Sequence, residues 1–184
     1  MADFSLTENE RQTLLATARG SIAARFSGAR FAMPPATPAL GTPCGAFVTL
    51  KIGGRLRGCI GHITATAPLV ETVRDVALSS AFDDPRFPPL ARDELETVTI
   101  EVSVLSPLRR TRDPSEIRVG THGILLRRGG RSGLLLPQVA TEQGWQRDEF
   151  LAHTCRKAGL PDDAWRDPDT SIEIFSAVVF GEEG

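Results

Sequence analysis

Hydrophobic residues recur at helical spacing in three stretches of the chain. The first is residues 7–26, which open with a capping box formed by Thr7 and Glu10. The second is residues 68–81 and the third is residues 147–158. Each stretch places its apolar side chains along one side of a helix. We therefore predict three helices that lie against a hydrophobic core.

Apolar and polar residues alternate in other stretches, as they do in β-strands with one buried face. Two pairs of these stretches are separated by Gly53-Gly54 and Gly129-Gly130, which favour tight hairpin turns. The predicted strands are residues 46–52, 55–61, 97–105, 124–128, 131–136 and 171–180. Because helices and hairpins are interleaved without a regular strand-helix-strand order, we predict an α+β (mixed α/β) fold, an antiparallel-rich sheet with flanking helices.

The length of the chain fits one hydrophobic core and is too short for two large domains. There are 184 residues, of which 41% are hydrophobic. We predict a single compact domain over residues 1–184 with two lobes. Residues 27–45 are rich in proline, which interrupts regular structure, and we predict an extended connection there.

Composition excludes several classes of function. The formal net charge of -2 gives no global attraction to nucleic acid or to an anionic membrane. Cys44, Cys59 and Cys155 lack the spacing of a zinc or redox site, so no metal is predicted and a reducing compartment fits best. The N-terminus is acidic and polar, unlike a signal peptide, and no apolar run approaches a membrane span. We predict a cytoplasmic protein that does not associate with membranes, and no motif names a cofactor.

The segment RLRGCIGHI, residues 55–63, places Cys59 between two glycines. In a regular hairpin with a two-residue turn, Val48 lies opposite Cys59 and Leu50 lies opposite Arg57, so that Arg57 and Cys59 share one face. A guanidinium on that face would favour the thiolate, the nucleophilic form of cysteine. Cysteine is also a common core residue, and the two aliphatic residues opposite would bury it. A reactive thiol and a core residue are both compatible with these residues.

Six segments of the chain resemble the AMMECR-domain family, whose members in bacteria and archaea are called AmmeMemoRadiSam system protein A. They match in order between about residues 45 and 180. The segments are LRGCIG (56–61), DPRF (84–87), EVSVL (101–105), GLLLPQVA (133–140), GW (144–145) and CRKAGLP (155–161). The resemblance implies a two-lobed α/β domain with LRGCIG near the groove between the lobes. It also implies association with Memo-like and radical-SAM proteins, and a suggested role in RNA modification.

Two residues are candidates for proton transfer near Cys59. Glu101 lies on the polar face of its predicted strand, where a carboxylate can act as a general base or simply meet water. In a regular strand His62 points away from the sulfur, and only a bulge at Gly61 would turn it toward Cys59. A satisfied surface histidine is the alternative for His62.

The candidate substrate-binding residues are Arg57, Gly58, Gly61, Arg86 and Gln138. The glycines would let a ligand or another stretch of backbone approach the sulfur. Each arginine could hold an anionic group; alternatively Arg57 meets solvent and Arg86 braces its loop by pairing with an aspartate. The Gln138 amide could contact a ligand or cap the next turn.

These residues support two classes of function. In the first, Cys59 is the nucleophile of a modification or group-transfer enzyme acting on a small-molecule, nucleotide or RNA substrate, with Arg57 holding an anionic group and Glu101 or His62 moving a proton. In the second, the protein is a non-catalytic binding module for a Memo-like or radical-SAM partner. The absence of a complete acid-base set favours the second class, and the glycines around Cys59 favour the first.

Overall fold

Five helices and seven strands form within residues 4–182, the part of the chain that the computed structural model describes. The helices are α1 (Glu8–Ser27), α2 (Pro38–Gly41), α3 (Leu69–Phe82), α4 (Pro137–Gln143) and α5 (Arg147–Lys157). The strands are β1 (Ala46–Ile52), β2 (Arg55–His62), β3 (Val98–Leu105), β4 (Arg109–Thr111), β5 (His122–Arg128), β6 (Arg131–Leu135) and β7 (Ser171–Gly181). The paired strands run antiparallel. The predicted α+β fold is therefore confirmed.

The predicted helices and hairpins form because local signals are strong. The hydroxyl oxygen of Thr7 accepts a hydrogen bond from the Glu10 N–H over 3.3 Å, and the Glu10 carboxylate accepts one from the Thr7 N–H over 2.9 Å, as a capping box requires. Gly53 and Gly54 take φ angles of 55° and 76°, which suit a tight hairpin turn and which residues with a Cβ rarely adopt.

The prediction that residues 27–45 lack regular structure was wrong for one short piece. Pro38–Gly41 forms α2, because Thr37 caps it by accepting a hydrogen bond from the Leu40 N–H over 3.3 Å. Pro38 occupies the first turn, where a missing N–H has no cost. Two further short elements, α4 and β4, were not predicted.

The described chain divides into two compact units. The first contains residues 4–105 and 178–182, and the second contains residues 106–177. The assignment of residues 1–184 to one domain stays a prediction.

In the first unit, α1 and α3 cover one face of the strands β2, β1 and β3, which lie side by side in that order. The last residues of β7 continue this sheet beside β3. The core is formed by aliphatic side chains that alternate along β1 and β3 and by the apolar sides of the two helices. Its fully buried members include Leu14, Ile22, Val48, Leu50, Leu69, Val73, Ile100 and Val102.

The β1–β2 hairpin contains a β-bulge that changes the predicted register. Ile52 pairs with Arg55 as expected, but Leu50 pairs with Gly58, so Arg57 is an extra residue in β2. One extra residue turns every following side chain to the other face. Cys59 therefore lies opposite Thr49, and the predicted pairing with Val48 was wrong.

In the second unit, β5 lies between β6 and β7, and β4 pairs with the other edge of β7. Helix α5 contributes Phe150, Leu151 and Cys155 to a separate core. Aliphatic residues that alternate along β5 and β7, among them Ile124 and Ile174, complete it. This unit therefore has its own hydrophobic interior.

None of the helices within residues 4–182 is long and apolar enough to cross a lipid bilayer.

Candidate active site

The face of the first sheet that points away from its core carries thiol, hydroxyl and charged side chains. Residues paired across antiparallel strands share a face, so these side chains form rows across β2, β1 and β3. The rows are Leu56–Lys51–Thr99, Cys59–Thr49–Glu101 and Gly61–Phe47–Ser103. We call these nine residues the open sheet face, because most of them are only half-buried.

Cys59 lies in the middle row and its side chain is half-buried. The hydroxyl of Thr49, directly across on β1, donates a hydrogen bond to the Cys59 Sγ over 3.3 Å. A donated hydrogen bond stabilises the charged thiolate more than the neutral thiol, because a charged acceptor makes the stronger bond. Thr49 therefore provides a hydrogen-bond donor for negative charge on the sulfur.

The backbone of Cys59 is held by the DPRF segment that follows α3. β2 is an edge strand. On its free edge, the Cys59 N–H donates a hydrogen bond to Asp84 Oδ2 over 2.9 Å, and the Cys59 carbonyl oxygen accepts one from Arg86 Nη2 over 3.1 Å. These two side chains take the place of a neighbouring strand and protect the edge at the cysteine.

Asp84 and Arg86 form an ion pair in which only the cation reaches solvent. Their closest atoms are 2.7 Å apart, and the two side chains are 2% and 54% exposed respectively. Hydrogen bonds from Arg86 hold the pKa of the Asp84 carboxyl well below its usual range, and those same bonds raise the pKa of Arg86. Within residues 4–182, Nη1 of Arg86 has no hydrogen-bond partner, so this nitrogen can still bind an anion or a polarised oxygen beside Cys59.

Gly58 and Ser80 join β2 to α3. A Cβ on Gly58 would lie 2.1 Å from the Ser80 carbonyl oxygen, so only glycine fits against the helix here. The buried Ser80 hydroxyl accepts a hydrogen bond from the Ile60 N–H over 2.9 Å and lies 2.8 Å from the Val48 carbonyl oxygen. These contacts fix the part of β2 that presents the cysteine.

Glu101 lies in the same row as Cys59, but two strand spacings away, which is about 10 Å. Its Oε2 accepts a hydrogen bond from the Lys51 ammonium over 3.0 Å, and both side chains are 37% exposed. An exposed pair of this kind is easily exchanged for a ligand contact. Glu101 is too distant to deprotonate the thiol, although it can reach a substrate that lies over Thr49.

Arg57 was predicted to share the face of Cys59, and this prediction was wrong, because Arg57 is the bulged residue of β2. Its guanidinium forms two hydrogen bonds of 2.8 Å with the Glu94 carboxylate. It also donates to the carbonyl oxygens of Pro88 and Pro89, over 3.0 and 3.3 Å. Four of its five N–H groups thus hold the loop after α3, and within residues 4–182 only the second N–H of Nη1 lacks a partner.

Neither glycine beside Cys59 leaves open space. Gly58 accommodates the carbonyl of α3, and a Cβ on Gly61 would lie 2.3 Å from the Phe47 ring. His62 pairs with Ala46 in an unbroken register, so the bulge at Gly61 that would turn it toward the sulfur does not form. The structure therefore separates His62 from Cys59.

Gln138 lies in the second unit, within α4, and its carbonyl oxygen accepts a hydrogen bond from the Thr141 hydroxyl over 2.8 Å. Its role in substrate binding stays a prediction. The second unit also stacks His153 on Trp145, with ring centroids 3.7 Å apart.

Sequence reasoning missed Thr49 and Ser80 as parts of the site. A regular hairpin, in which Val48 lies opposite Cys59, places Thr49 on the other face, so only the bulge brings Thr49 to the sulfur. Ser80 lies on the buried, apolar side of α3, and the only sequence signal for its role is a polar residue among apolar ones. The proximity of Asp84 and Arg86 to Cys59 also had no local signal, because 25 residues separate Cys59 from Asp84.

Cys44 and Cys155 differ from Cys59 in being buried in the two cores. Burial raises the pKa of the Cys44 thiol to about 11, and it also raises the pKa of Cys155. Within the described residues no three histidine, cysteine or acidic side chains are grouped as metal ligands would be. The open sheet face therefore carries the one accessible thiol of residues 4–182.

Comparison with known proteins agrees with the resemblance seen in the motifs. The AMMECR1 family model matches residues 15–180, and the chain belongs to this family. It is 48% identical to protein MK0488 of Methanopyrus kandleri over 189 aligned residues, which cover 97% of this chain and 91% of that protein. It is 44% identical to a protein of Methanothermobacter thermautotrophicus, with 97% of each chain covered.

The structure is also similar to a solved one. The crystal structure of the uncharacterised protein PH0010 from Pyrococcus horikoshii matches with a TM-score of 0.76 and 44% sequence identity. The match covers 92% of this chain and 90% of that chain. Sequence and structure therefore assign the same family over both units.

Proposed function

We propose that this protein is a group-transfer enzyme in which Cys59 is the nucleophile. The observation that supports the proposal best is the hydrogen bond from Thr49 to the Cys59 sulfur on the open sheet face. Arg86 lies on the other side of the cysteine, where its uncommitted Nη1 can stabilise negative charge that develops on a substrate oxygen.

In the proposed first step, the thiolate of Cys59 attacks an electrophilic acyl carbon of the donor. A carbon–sulfur bond forms, the bond from that carbon to its leaving group breaks, and the leaving group takes the electron pair and the proton lost by the thiol. In the second step an amine or hydroxyl of the acceptor attacks the same carbon. The carbon–sulfur bond breaks, its electrons return to sulfur, and the acceptor's proton restores the thiol.

Glu101 is the group that we propose for proton transfer from the acceptor. It lies about 10 Å from Cys59 along the row, which leaves room above Thr49 for the acceptor to approach the thioester. The Lys51 ammonium contacts this carboxylate over 3.0 Å and orients it on the open sheet face. His62 has no part in this arrangement, because it lies on the other face.

A small molecule or a nucleotide fits the proposal better than RNA. The cations at the site, Lys51 and Arg86, are each paired with a carboxylate, so no unpaired basic stripe follows the open sheet face. RNA binding depends on neutralising many phosphates and falls steeply with salt. We expect no retention of this protein on RNA at physiological salt, and salt-resistant retention would contradict this choice of substrate.

The thiol step can be tested with p-nitrophenyl acetate as a generic acyl donor. We expect a burst of p-nitrophenolate and an acetyl group on Cys59, detected by mass spectrometry of the folded protein. Cys59→Ser should abolish the burst and keep the fold, while the buried Cys44 and Cys155 serve as internal controls. Acetylation of Cys59 only after unfolding would contradict the proposal.

A second candidate function, a docking module for a Memo-like or radical-SAM partner, is favoured by exposed apolar residues. Leu56 and Val179 are the large hydrophobic residues of the described chain that remain exposed, at 43% and 47%. A Cβ on Gly181 would lie 3.7 Å from the Glu101 Cβ, which places Gly181, and by alternation Val179, on the Glu101 face. Leu56, which belongs to the open sheet face, and Val179 beside it thus supply apolar contact area on this side of the sheet.

Co-purification with a Memo-like protein tests this docking function. Leu56→Ser should reduce capture of the partner, whereas Cys59→Ser should leave it unchanged. Absence of any complex with the wild-type protein at high concentration would exclude this candidate, and loss of capture in both variants would mean that the two functions share one surface.

A further inference from the structure

The first unit contains a depression of about 570 Å³ on the helical side of its sheet. It is lined by one stripe of α1 and by the end of β7: Glu8, Arg11, Gln12, Leu15 and residues 180–182. The helical residues follow the i, i+3, i+4, i+7 spacing, so they face the depression together. We call it the Arg11 pocket. Its volume is within the range of small-molecule sites.

Arg11 is the polar residue of this pocket whose side chain is unsatisfied. Its Nε is buried and has no hydrogen-bond partner, and the guanidinium forms no ion pair with any residue that the structure describes. A buried donor without a partner is rare in folded proteins, and such a donor often marks an absent ligand or water.

The neighbouring carboxylates do not satisfy the Arg11 side chain, because each of them accepts hydrogen bonds from other groups. Glu8 accepts a hydrogen bond from the Gln12 amide over 2.8 Å. The two oxygens of Glu182 accept hydrogen bonds from Arg19, and one of them also accepts the Ile100 N–H over 2.9 Å. The pocket therefore presents the uncommitted Arg11 cation beside Glu182, which is paired with Arg19, and Glu8, which accepts a hydrogen bond from a neutral amide.

The rest of the lining is apolar. Leu15 and the half-buried ring of Phe180 form walls, and Gly181 adds no side chain. A guanidinium binds a planar carboxylate through two parallel hydrogen bonds, a geometry that an ammonium group does not offer. The arrangement suits a ligand with a single carboxylate at one end and a hydrocarbon tail at the other.

We propose that the Arg11 pocket binds a small aliphatic or aryl monocarboxylate. The carboxylate pairs with the Arg11 guanidinium, and the tail contacts Leu15 and Phe180. This site is separate from the open sheet face, which lies on the opposite side of the same sheet, so the proposal does not depend on the reactivity of Cys59.

Binding can be tested with hexanoate as the probe, and with hexanol and hexylamine as matched controls. Millimolar hexanoate should raise the Tm of the wild-type protein and shift amide signals of the first half of α1 in ¹⁵N–¹H spectra, since a ligand of the native state stabilises it. Hexanol and hexylamine should do neither. Equal effects of all three probes, or no effect of hexanoate, would overturn the proposal.

Two variants distinguish a carboxylate site from an accidental cavity. Arg11→Gln should weaken hexanoate binding at least tenfold, because a charge-assisted bond is lost, while Arg25→Gln on the exposed side of the same helix should leave it unchanged. Without ligand, Arg11→Gln should be no less stable than the wild type, because it removes an unsatisfied donor. If that variant fails to fold, Gln12→Glu provides a second test, since a new carboxylate in the pocket should also weaken binding. Unchanged binding in these variants would refute the site.

Discussion

The Thr49 hydroxyl provides the sharpest test of the candidate active site. Thr49→Val replaces the O–H with a methyl group of similar size at a half-buried strand position, so the fold should be retained. The one hydrogen bond that the Thr49 side chain donates to a group within residues 4–182, to the Cys59 sulfur over 3.3 Å, is lost. A hydrogen bond to an ionised group contributes about 1.5–3 kcal/mol. Because water can partly replace it at this half-exposed position, we expect the low end of that range.

A loss of about 1.4 kcal/mol of stabilisation changes a rate about tenfold. Because the sulfur keeps about half of its negative charge in the transition state of alkylation, as a Brønsted coefficient of about 0.4–0.5 indicates, about half of the stabilisation should be lost there. We therefore expect Cys59 in Thr49→Val to be alkylated about three- to fourfold more slowly than in the wild type.

The assay is alkylation of Cys59 by iodoacetamide over a pH series, followed by mass spectrometry. The buried Cys44 and Cys155 should stay unmodified in the folded protein and report any unfolding. Thr49→Ser, which keeps the hydroxyl, is the matched control and should behave like the wild type. If Thr49→Val is alkylated at the same rate as the wild type, the hydrogen bond from Thr49 does not assist the sulfur, and the expected role of Thr49 is refuted.

Three further changes test the contacts that position the cysteine. Gly58→Ala should destabilise the protein by about 1–3 kcal/mol or more in urea unfolding, because its Cβ would overlap the Ser80 carbonyl. Gly54→Ala, at a turn glycine with a φ of 76° and no atom within 4 Å of the added Cβ, should cost less, because it introduces backbone strain without a clash. Ser80→Ala should cost about 1–3 kcal/mol, because the Ile60 N–H loses its partner, and an unchanged unfolding midpoint would contradict this. Asp84→Asn should make the free energy of unfolding depend less on pH in acid. The pKa of Asp84 in the folded protein lies below the unfolded value of about 3.9, so its contribution to stability is present above about pH 4 and is lost as the pH falls below it. If the unfolding free energy from urea titrations falls equally steeply with acid pH in the wild type and in Asp84→Asn, the ionised Asp84 does not stabilise the fold.

Local signals predicted most of the fold. The capping box of α1, the paired glycines of both hairpins and the alternation of β3 act within a few residues, so they are visible in the sequence. α4 is short and begins with Pro137, so the hydrophobic period had too few turns to show. β4 has three residues, which is too few for an alternation.

The site was less predictable than the fold because its geometry depends on contacts that are distant in sequence. The bulge in β2 accompanies the pairing of Arg57 with Glu94, 37 residues later, and no residue near Arg57 indicates that pairing. The identity of Cys59 as a candidate was visible in the motif. The residue that faces its sulfur was not, because a shift of one position exchanges the two faces of a strand.

The bulge in β2 also explains why the Cys59 thiol is only half-buried although its hairpin packs against α3. Without the extra residue, Cys59 would point toward Val48 and Leu50, which are fully buried against α3, and its thiol would lie in the core like that of Cys44. In the structure Arg57 is the bulged residue and pairs with Glu94, so Gly58 takes the position that faces α3, where the absence of a side chain lets the helix approach. Cys59, the next residue, then lies on the open sheet face. Arg57 and Gly58 therefore determine the orientation of Cys59. A substrate would be bound by the residues that this orientation places around the sulfur.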